Sequence, residues 1–426
     1  MHFHKTPQEV VRLAKKHVPK TARKILEPAV GEGALLQALH PFQLDEKLTL
    51  VDIDSRRLDA IKLIYPELSA INADFTKWPP ENNKSYFDLI ITNPPFSGRA
   101  EKWRDFGNRK APIEYLFFKR CIELLLPTGT LIAIVPDTIV NSVRLQAERS
   151  WILSQGSITF AYQLPKRIFE KIEGAFYLLV FKKGVRQKNI KLRNLSGDSD
   201  INVSLDELSS SGYRLDHSYY RSKYKFSRFV PKSSLPLSNF CQITRGPVRN
   251  NYKALENFHS NSFISHFWIN YSIGDSSDFC IAVKRVSRNA NFSFGLFPTE
   301  DIQKSTDCII FIKTRRELIF RILFFLRVTL TNKDGEHLLL KGAGAKFIKV
   351  TDLKNLAYFD LAERYPEHFQ KYVFAYKTKD ISTCLNIEKN IHYELAWGKK
   401  ITFLKSPIPN EKTETASELL TQISHP

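Results

Sequence analysis

Through the first half of the chain, short apolar runs alternate with stretches whose apolar residues recur at helical spacing. That alternation is the sequence form of parallel strands joined by crossover helices. The runs Ala22–Ala29, Leu48–Ile53, Leu68–Ala73, Phe87–Thr92 and Thr130–Val135 predict strands, and Ala34–Leu39, Ser55–Tyr65 and Ile113–Leu126 predict helices between them. Pro127-Thr128-Gly129 ends the last helix and turns the chain into a strand. Ile158–Leu164 and Ala175–Phe181 are close enough to pair as a hairpin through the loop Pro165–Gly174. The expected fold class is therefore α/β.

After about Gly184 the alternation is lost. The polar stretches Asn194–Asp198 and Ser209–Gly212 suggest a linker over 191–212 between a first domain, 1–190, and a second, 213–410, with a polar tail at 411–426. The second half is rich in Phe, Tyr and Asn, as expected of an irregular mixed α and β domain. Its most apolar stretch, Leu318 to Leu330, carries Arg321 and Arg327, which favours a core helix or strand over a membrane span.

With 426 residues, 43% of them hydrophobic, the chain is long enough for two domains. Lys and Arg number 63 against 44 Asp and Glu, a formal charge of +19, and the excess is spread over both halves. Such a balance favours a polyanionic partner. Cys121, Cys241, Cys280, Cys308 and Cys384 lie far apart with no Cys-x-x-Cys pair, so neither a metal site nor a disulfide framework is expected. The opening Met1-His2-Phe3-His4-Lys5 has no apolar stretch behind it, which points to a cytoplasmic chain with reduced thiols and no membrane association.

Candidate chemistry gathers at the expected strand ends, where open parallel sheets bind ligands. Glu27-Pro28-Ala29-Val30-Gly31-Glu32-Gly33 passes from strand to helix, and Gly31 and Gly33 allow a tight turn close to a ligand. The next strand ends in Asp52-Ile53-Asp54. There Asp52 can accept hydrogen bonds from ribose hydroxyls, while Asp54 suits a helix cap. Asn72-Ala73-Asp74-Phe75 then offers an acceptor for an exocyclic amine and a ring for a purine face, core packing being the plainer reading of Phe75.

The fourth strand end, Asn93-Pro94-Pro95-Phe96, is the most informative. Its two prolines remove two amide donors and stiffen the backbone around free carbonyls. The Asn93 side-chain oxygen and the Pro94 carbonyl can each accept one hydrogen from an amino group, drawing its lone pair out of conjugation, with Phe96 stacked on the ring that bears it.

In order along the chain, Thr6-Pro7 with the helix Gln8–His17, the Glu27–Gly33 loop, Asp52, Asp74-Phe75, Asn93–Phe96 and the run ending Val135-Pro136 resemble the γ-class, Taq-type N6-adenine DNA methyltransferases of restriction-modification systems. The resemblance covers roughly residues 3–184. It implies a Rossmann-like S-adenosylmethionine-dependent methyltransferase sheet with crossover helices and a final antiparallel hairpin. It also implies an adenine-specific, site-specific enzyme that takes its methyl from S-adenosylmethionine and rotates the adenine out of double-stranded DNA.

Carried over by this resemblance, Thr6 and Glu27 hold the methionine end, Ala29 lies against the cofactor, Asp52 and Ile53 face ribose, Asp74 the adenine N6 and Phe75 its ring. Asn93 and Pro95 complete the cofactor set. Asn93, Pro94 and Phe96 are the catalytic residues, and Phe169, in Arg167-Ile168-Phe169-Glu170, stacks with Phe96 on the flipped base. Phe96 stands where many relatives have Tyr, a change that keeps the stacking ring. No metal is required.

Tyr213–Tyr220, Leu237–Gly246 and Lys341–Leu353 resemble elements of a target recognition domain of the type I specificity-subunit kind, which makes Arg245, Arg249 and Lys346 candidates for DNA contact. A monomer is expected, alongside a companion restriction endonuclease on another chain; no Asp...Glu-x-Lys cluster for cleavage stands out here. The alternatives are an RNA adenine or protein glutamine N-methyltransferase, and a non-catalytic DNA specificity protein.

Overall fold

The computed structural model describes residues 5–45, 47–79, 86–96, 103–169, 174–248, 258–259, 262–263, 278–287, 293–341 and 346–397. The chain divides into two compact units, Met1–Tyr220 and Arg221–Pro426.

The first unit opens with α1 (Gln8–Lys15), whose Val10, Val11, Leu13 and Ala14 are buried. The chain continues through β1 (Ile25–Pro28), β2 (Leu48–Asp52), α2 (Ser55–Ile64), β3 (Ser69–Asn72) and β4 (Phe87–Thr92). A hairpin of β5 (Arg104–Phe106) and β6 (Arg109–Ala111) leads into α3 (Ile113–Leu124) and the long β7 (Leu125–Pro136). Then come α4 (Asp137–Asn141), α5 (Gln146–Gln155), β8 (Gly156–Gln163), β9 (Phe176–Lys183), β10 (Asn189–Asn194), β11 (Ile201–Ser204) and α6 (Leu205–Ser210). The boundary between units falls inside α7 (His217–Phe229).

Nine strands form one sheet in the order β11-β10-β8-β9-β7-β4-β1-β2-β3. From β3 to β7 all neighbours are parallel, and β9 enters antiparallel between β7 and β8. The central strands are apolar on both faces because helices cover both: Leu89, Ile90 and Ile91 of β4 are fully buried. After β3 the chain returns to the other side of β1 as β4, so the strand order reverses between β1 and β4. A ligand crevice forms at the carboxyl ends of strands flanking such a reversal.

Two expectations need correction. The hairpin of β8 and β9 is not the last element of the sheet, and 191–212 is not a linker. β10 adds parallel to β8, pairing Lys191 with Phe160 and Asn194 with Gln163, and β11 adds antiparallel to β10. Ile190, Leu192 and Val203 are buried there, and Leu208 of α6 with them. The polar stretches that suggested a linker are the turn after β10 and the end of α6, whereas 189–194 alternates polar with apolar residues, the pattern of a strand covered on one face. The helix expected at Ala34–Leu39 is a 3-10 segment, Ala34–Ala38, following Gly33 in the left-handed region (φ 74°).

The second unit carries a four-stranded antiparallel sheet in the order Gln242–Arg245, Ile309–Lys313, Phe279–Lys284, Phe294–Pro298. The apolar run becomes the helix Ile319–Leu330, at the centre of that unit's core. Its Arg327, almost fully buried, donates through Nε and Nη2 to Glu388 at 2.8 and 3.0 Å, and the Tyr372 hydroxyl donates to Glu388 Oε1 at 2.9 Å. Among the described residues, no helix is long and apolar enough to cross a membrane.

Candidate active site

At the carboxyl end of β1 the chain turns sharply. Ala29, Gly31 and Gly33 all have positive φ (63°, 58° and 74°), a conformation that costs a side chain of Ala about 1 kcal/mol or more and suits glycine. Strain of this kind at a strand end is found where backbone must approach a ligand. The turn is tied to β2: Ala29 N–H donates to Val51 O at 2.7 Å and Gly31 N–H to Asp52 Oδ2 at 2.8 Å. Asp54 N–H donates to the other Asp52 oxygen at 2.9 Å. Asp52, 5% exposed, is thereby aimed by two backbone amides and keeps lone pairs on both oxygens for further donors. Asp54 caps α2, accepting from Arg56 N–H. On the β4 side, Thr92 Oγ1 donates to Pro28 O at 2.7 Å, a link across the reversal point.

These strand ends line one open cleft. Ala29, Asp52, Ile53, Asp74, Phe75 and the whole of Asn93–Phe96 line it. Four separately expected strand ends thus share one cavity. Ile53 is 66% exposed, unusual for its type, and presents apolar surface there. Phe75 also packs at 5.0 Å against Phe117, so its core role and its place on the cleft wall coexist.

Asp74 is held firmly. Thr76 donates to Oδ1 through its N–H (3.0 Å) and its hydroxyl (2.7 Å), and Arg104 Nη1 donates to Oδ2 at 3.1 Å. Burial would raise its carboxyl, and the hydrogen bonds from Thr76 and Arg104 with the guanidinium charge outweigh that, leaving it below the ordinary carboxylate value.

Thr6, Glu27, Gly31 and Gly33 are not among the lining residues described, though Thr6, Glu27 and Gly31 neighbour residues that are. Asn93 Nδ2 donates to Thr6 Oγ1 at 3.0 Å, so Thr6 sits against the rigid corner itself. Glu27 is 1% exposed, and its Oε2 has no hydrogen-bond partner among the described residues. Burial, and then the neighbouring charge of Asp52, push its carboxyl well above the usual range. A buried acid beside a second acid is matched by a cationic ligand group. Hydroxyl-accepting, amine-accepting and cation-demanding groups therefore line or back one cleft, a set whose chemistry fits a cationic nucleoside such as S-adenosylmethionine.

The aromatic pair expected to sandwich a base is in mutual contact in this structure. Phe96 and Phe169 meet edge to face, with centroids 5.9 Å apart and planes at 73°, and Phe169 is 2% exposed. A base between two rings needs them parallel and about 7 Å apart, twice a van der Waals contact. Both rings also touch Phe176, at 4.9 and 4.7 Å, which closes a three-ring cluster.

Sequence reasoning missed Arg104, Arg57 and Phe176. Arg104 and Arg57 both line the cleft. Gly107-Asn108 between Arg104–Phe106 and Arg109–Ala111 is a two-residue hairpin signal that marks the element holding Arg104. Of the proposed DNA contacts, Arg245 is exposed at a strand end, Lys346 is half-buried, and Arg249, like the tail 411–426, lies outside the described residues. Among the described residues no cluster of His, Cys, Asp and Glu is arranged to hold a metal ion.

Residues 40–169 match the family model of the Eco57I restriction-modification methylases. The type II methyltransferase M.TthHB8I of Thermus thermophilus is 29% identical over 199 residues, 42% of this chain and 44% of that protein. The ribosomal RNA small subunit methyltransferase C of Shewanella sediminis is 32% identical over 91 residues, 21% of this chain and 26% of that protein. The chain thus matches under half the length of these relatives. A solved structure of the type IIL restriction-modification enzyme MmeI in complex with DNA is similar with a TM-score of 0.52 at 11% identity, over 93% of this chain and 73% of that one, a likeness of fold.

Proposed function

We propose that the chain is an S-adenosylmethionine-dependent DNA methyltransferase that modifies N6 of adenine and serves as the modification arm of a restriction-modification system. The observation that carries this reading is that the Asn93–Phe96 corner and the acid-bearing ends of β2 and β3 open into one cleft. The match of 40–169 to the Eco57I methylases supports the restriction-modification setting.

When bound, S-adenosylmethionine supplies an electrophilic methyl group. The chain's own residues do the rest. Thr6 accepts from Asn93 Nδ2, which fixes the amide and leaves Oδ1 as the acceptor for one amino hydrogen. The Pro94 carbonyl accepts the other. With both hydrogens held, the lone pair of the amino nitrogen leaves conjugation with the ring and can attack in line. The extra proton of the methylated nitrogen passes to solvent after transfer, so no base of shifted pKa is needed. Phe96 holds the ring plane, and in base capture Phe169 moves off its edge contact to take the opposite face.

An adenine buried in a duplex must first be rotated out, at a few kcal/mol. The +19 charge provides phosphate contacts that offset this cost, and each stacked ring adds roughly 1–3 kcal/mol. In this reading the second unit recognises the target sequence, and the sites protected are those a companion endonuclease cuts.

A second reading, methylation of an RNA base, draws on the 91-residue similarity to a ribosomal RNA methyltransferase. Incubation with methyl-labelled S-adenosylmethionine and duplex DNA, RNA or protein, followed by nucleoside digestion, separates the two. Label in N6-methyldeoxyadenosine is expected; label confined to RNA or protein rejects the DNA reading.

A further inference from the structure

Arg104 belongs to none of the strand-end signals, yet it lines the cleft beside Asp74 and Phe75. It begins the β5–β6 hairpin, which Phe106 anchors to α3 through an edge-to-face contact with Tyr115 at 5.7 Å. From that hairpin its Nη1 reaches the loop after β3, donating to Asp74 Oδ2 at 3.1 Å and to Thr76 Oγ1 at 3.2 Å. The Thr76 hydroxyl in turn donates to Asp74 Oδ1, which closes a ring of three side chains. The cleft's other guanidinium, Arg57 of α2, faces Asp54 at 3.6 Å instead.

A fully ionised carboxylate only accepts hydrogen bonds. The 6-amino group of adenine donates, and the 6-oxo group of hypoxanthine accepts, so an acceptor-only carboxylate matches the first and opposes the second. A carboxylate released from the guanidinium keeps its charge but loses one of the bonds that fix the direction of its lone pairs, and its preference for a donating amino group over an accepting oxo group weakens with that direction. Resting on the reading of this cleft as the S-adenosyl site, we propose that Arg104 is the positioning residue that makes the cleft select a 6-amino purine, by fixing the direction in which the Asp74 carboxylate presents its lone pairs.

The test is calorimetric titration of the full chain with S-adenosylhomocysteine and with S-inosylhomocysteine, its 6-oxo counterpart. The natural chain is expected to prefer the amino compound by at least about tenfold, the scale of one charged hydrogen bond. Arg104→Ala should lose about tenfold of that preference, Arg104→Lys should recover part of it, and Thr76→Val should lose a smaller share. Asp74→Asn should lose the preference as well, and adding Arg104→Ala to it should change the preference no further.

Equal weakening of both compounds in Arg104→Ala, with the ratio kept, would reduce Arg104 to a scaffold and overturn the proposal. So would a further loss of preference in the double variant. Should Arg104→Ala fail to fold by thermal melting, Arg104→Lys and Thr76→Val carry the same comparison. A natural chain that binds both compounds equally sinks the proposal and leaves the cofactor reading standing; one that binds neither sinks the cofactor reading itself.

Discussion

The side-chain amide of Asn93 donates to the hydroxyl of Thr6 across 87 residues of chain, at 3.0 Å. That contact joins the segment before α1 to the rigid corner after β4, and it decides which end of the amide remains an acceptor. Thr6→Val, which keeps shape and removes the hydroxyl, is expected to lower the methyl-transfer rate about tenfold, the cost of one misplaced hydrogen bond, while Thr6→Ser stays near the natural rate. Asn93→Ala should abolish transfer while cofactor binding persists. Single-turnover transfer and equilibrium cofactor titration check both, and an unchanged rate in Thr6→Val would remove Thr6 from the catalytic arrangement.

Phe169 must part from Phe96 before a base can lie between them, since the rings now touch edge to face. Phe169→Ala is expected to slow capture of the target most on matched duplexes, and less where the adenine is mispaired or faces an abasic site, because less pairing must then be broken. A 2-aminopurine reporter at the target follows the step. Equal losses on all three duplexes would show that Phe169 serves only the three-ring cluster.

Glu27 ties cleft chemistry to pH. Its carboxyl lies well above the ordinary value in the folded chain, through burial and then the charge of Asp52. The folded state therefore holds a proton that the unfolded state has given up. Its contribution to stability is full below the unfolded carboxyl range and is lost as pH rises through the raised folded value. Glu27→Gln is expected to melt higher than the natural chain at pH 7 to 8, with the gap closing as pH falls toward the ordinary carboxyl range. S-adenosylmethionine, being cationic, should stabilise the natural chain more than the variant. Thermal melts across pH with and without the cofactor test this, and a pH-independent gap would contradict it.

In the second unit, Arg327 and Glu388 are buried together with the Tyr372 hydroxyl on the same carboxylate. Removing one partner strands a charge in an apolar core, so Glu388→Ala should cost about 3–5 kcal/mol in denaturant unfolding. Replacing both, as Arg327→Met with Glu388→Leu, should cost far less than the sum of the single changes.

The parts of the fold visible in the sequence are those whose signals are local. Phe87–Thr92 reads as a strand because its apolar run is short, unbroken and followed by Asn-Pro-Pro-Phe, and both its place in the sheet and the corner after it meet that expectation. The helix Ile319–Leu330 is similarly plain from its apolar length. What stayed hidden depends on partners distant in the chain. Asn189–Asn194 alternates in the manner of a strand, but its partner lies some 30 residues earlier in β8, and polar neighbours on either side make it look like a linker. Arg104 carries no motif, because its role exists only once a hairpin has carried it to Asp74. Phe169 was legible as an aromatic near the corner, and its angle to Phe96 was not, since ring orientation follows from packing against Phe176.

The two outer strands of the first unit also govern how the chain can be cut. Ending it near residue 190 would strip β10 from β8 and leave Phe160–Gln163 with a row of unanswered backbone donors and acceptors, an invitation to self-association. It would also leave Phe160 and Tyr162 without the Lys191 and Arg193 cations that now lie over their rings. A truncated first unit that stays dispersed in solution must therefore extend through β11 and α6, at least to Tyr220, where the buried Tyr220 hydroxyl closes on the Arg214 carbonyl.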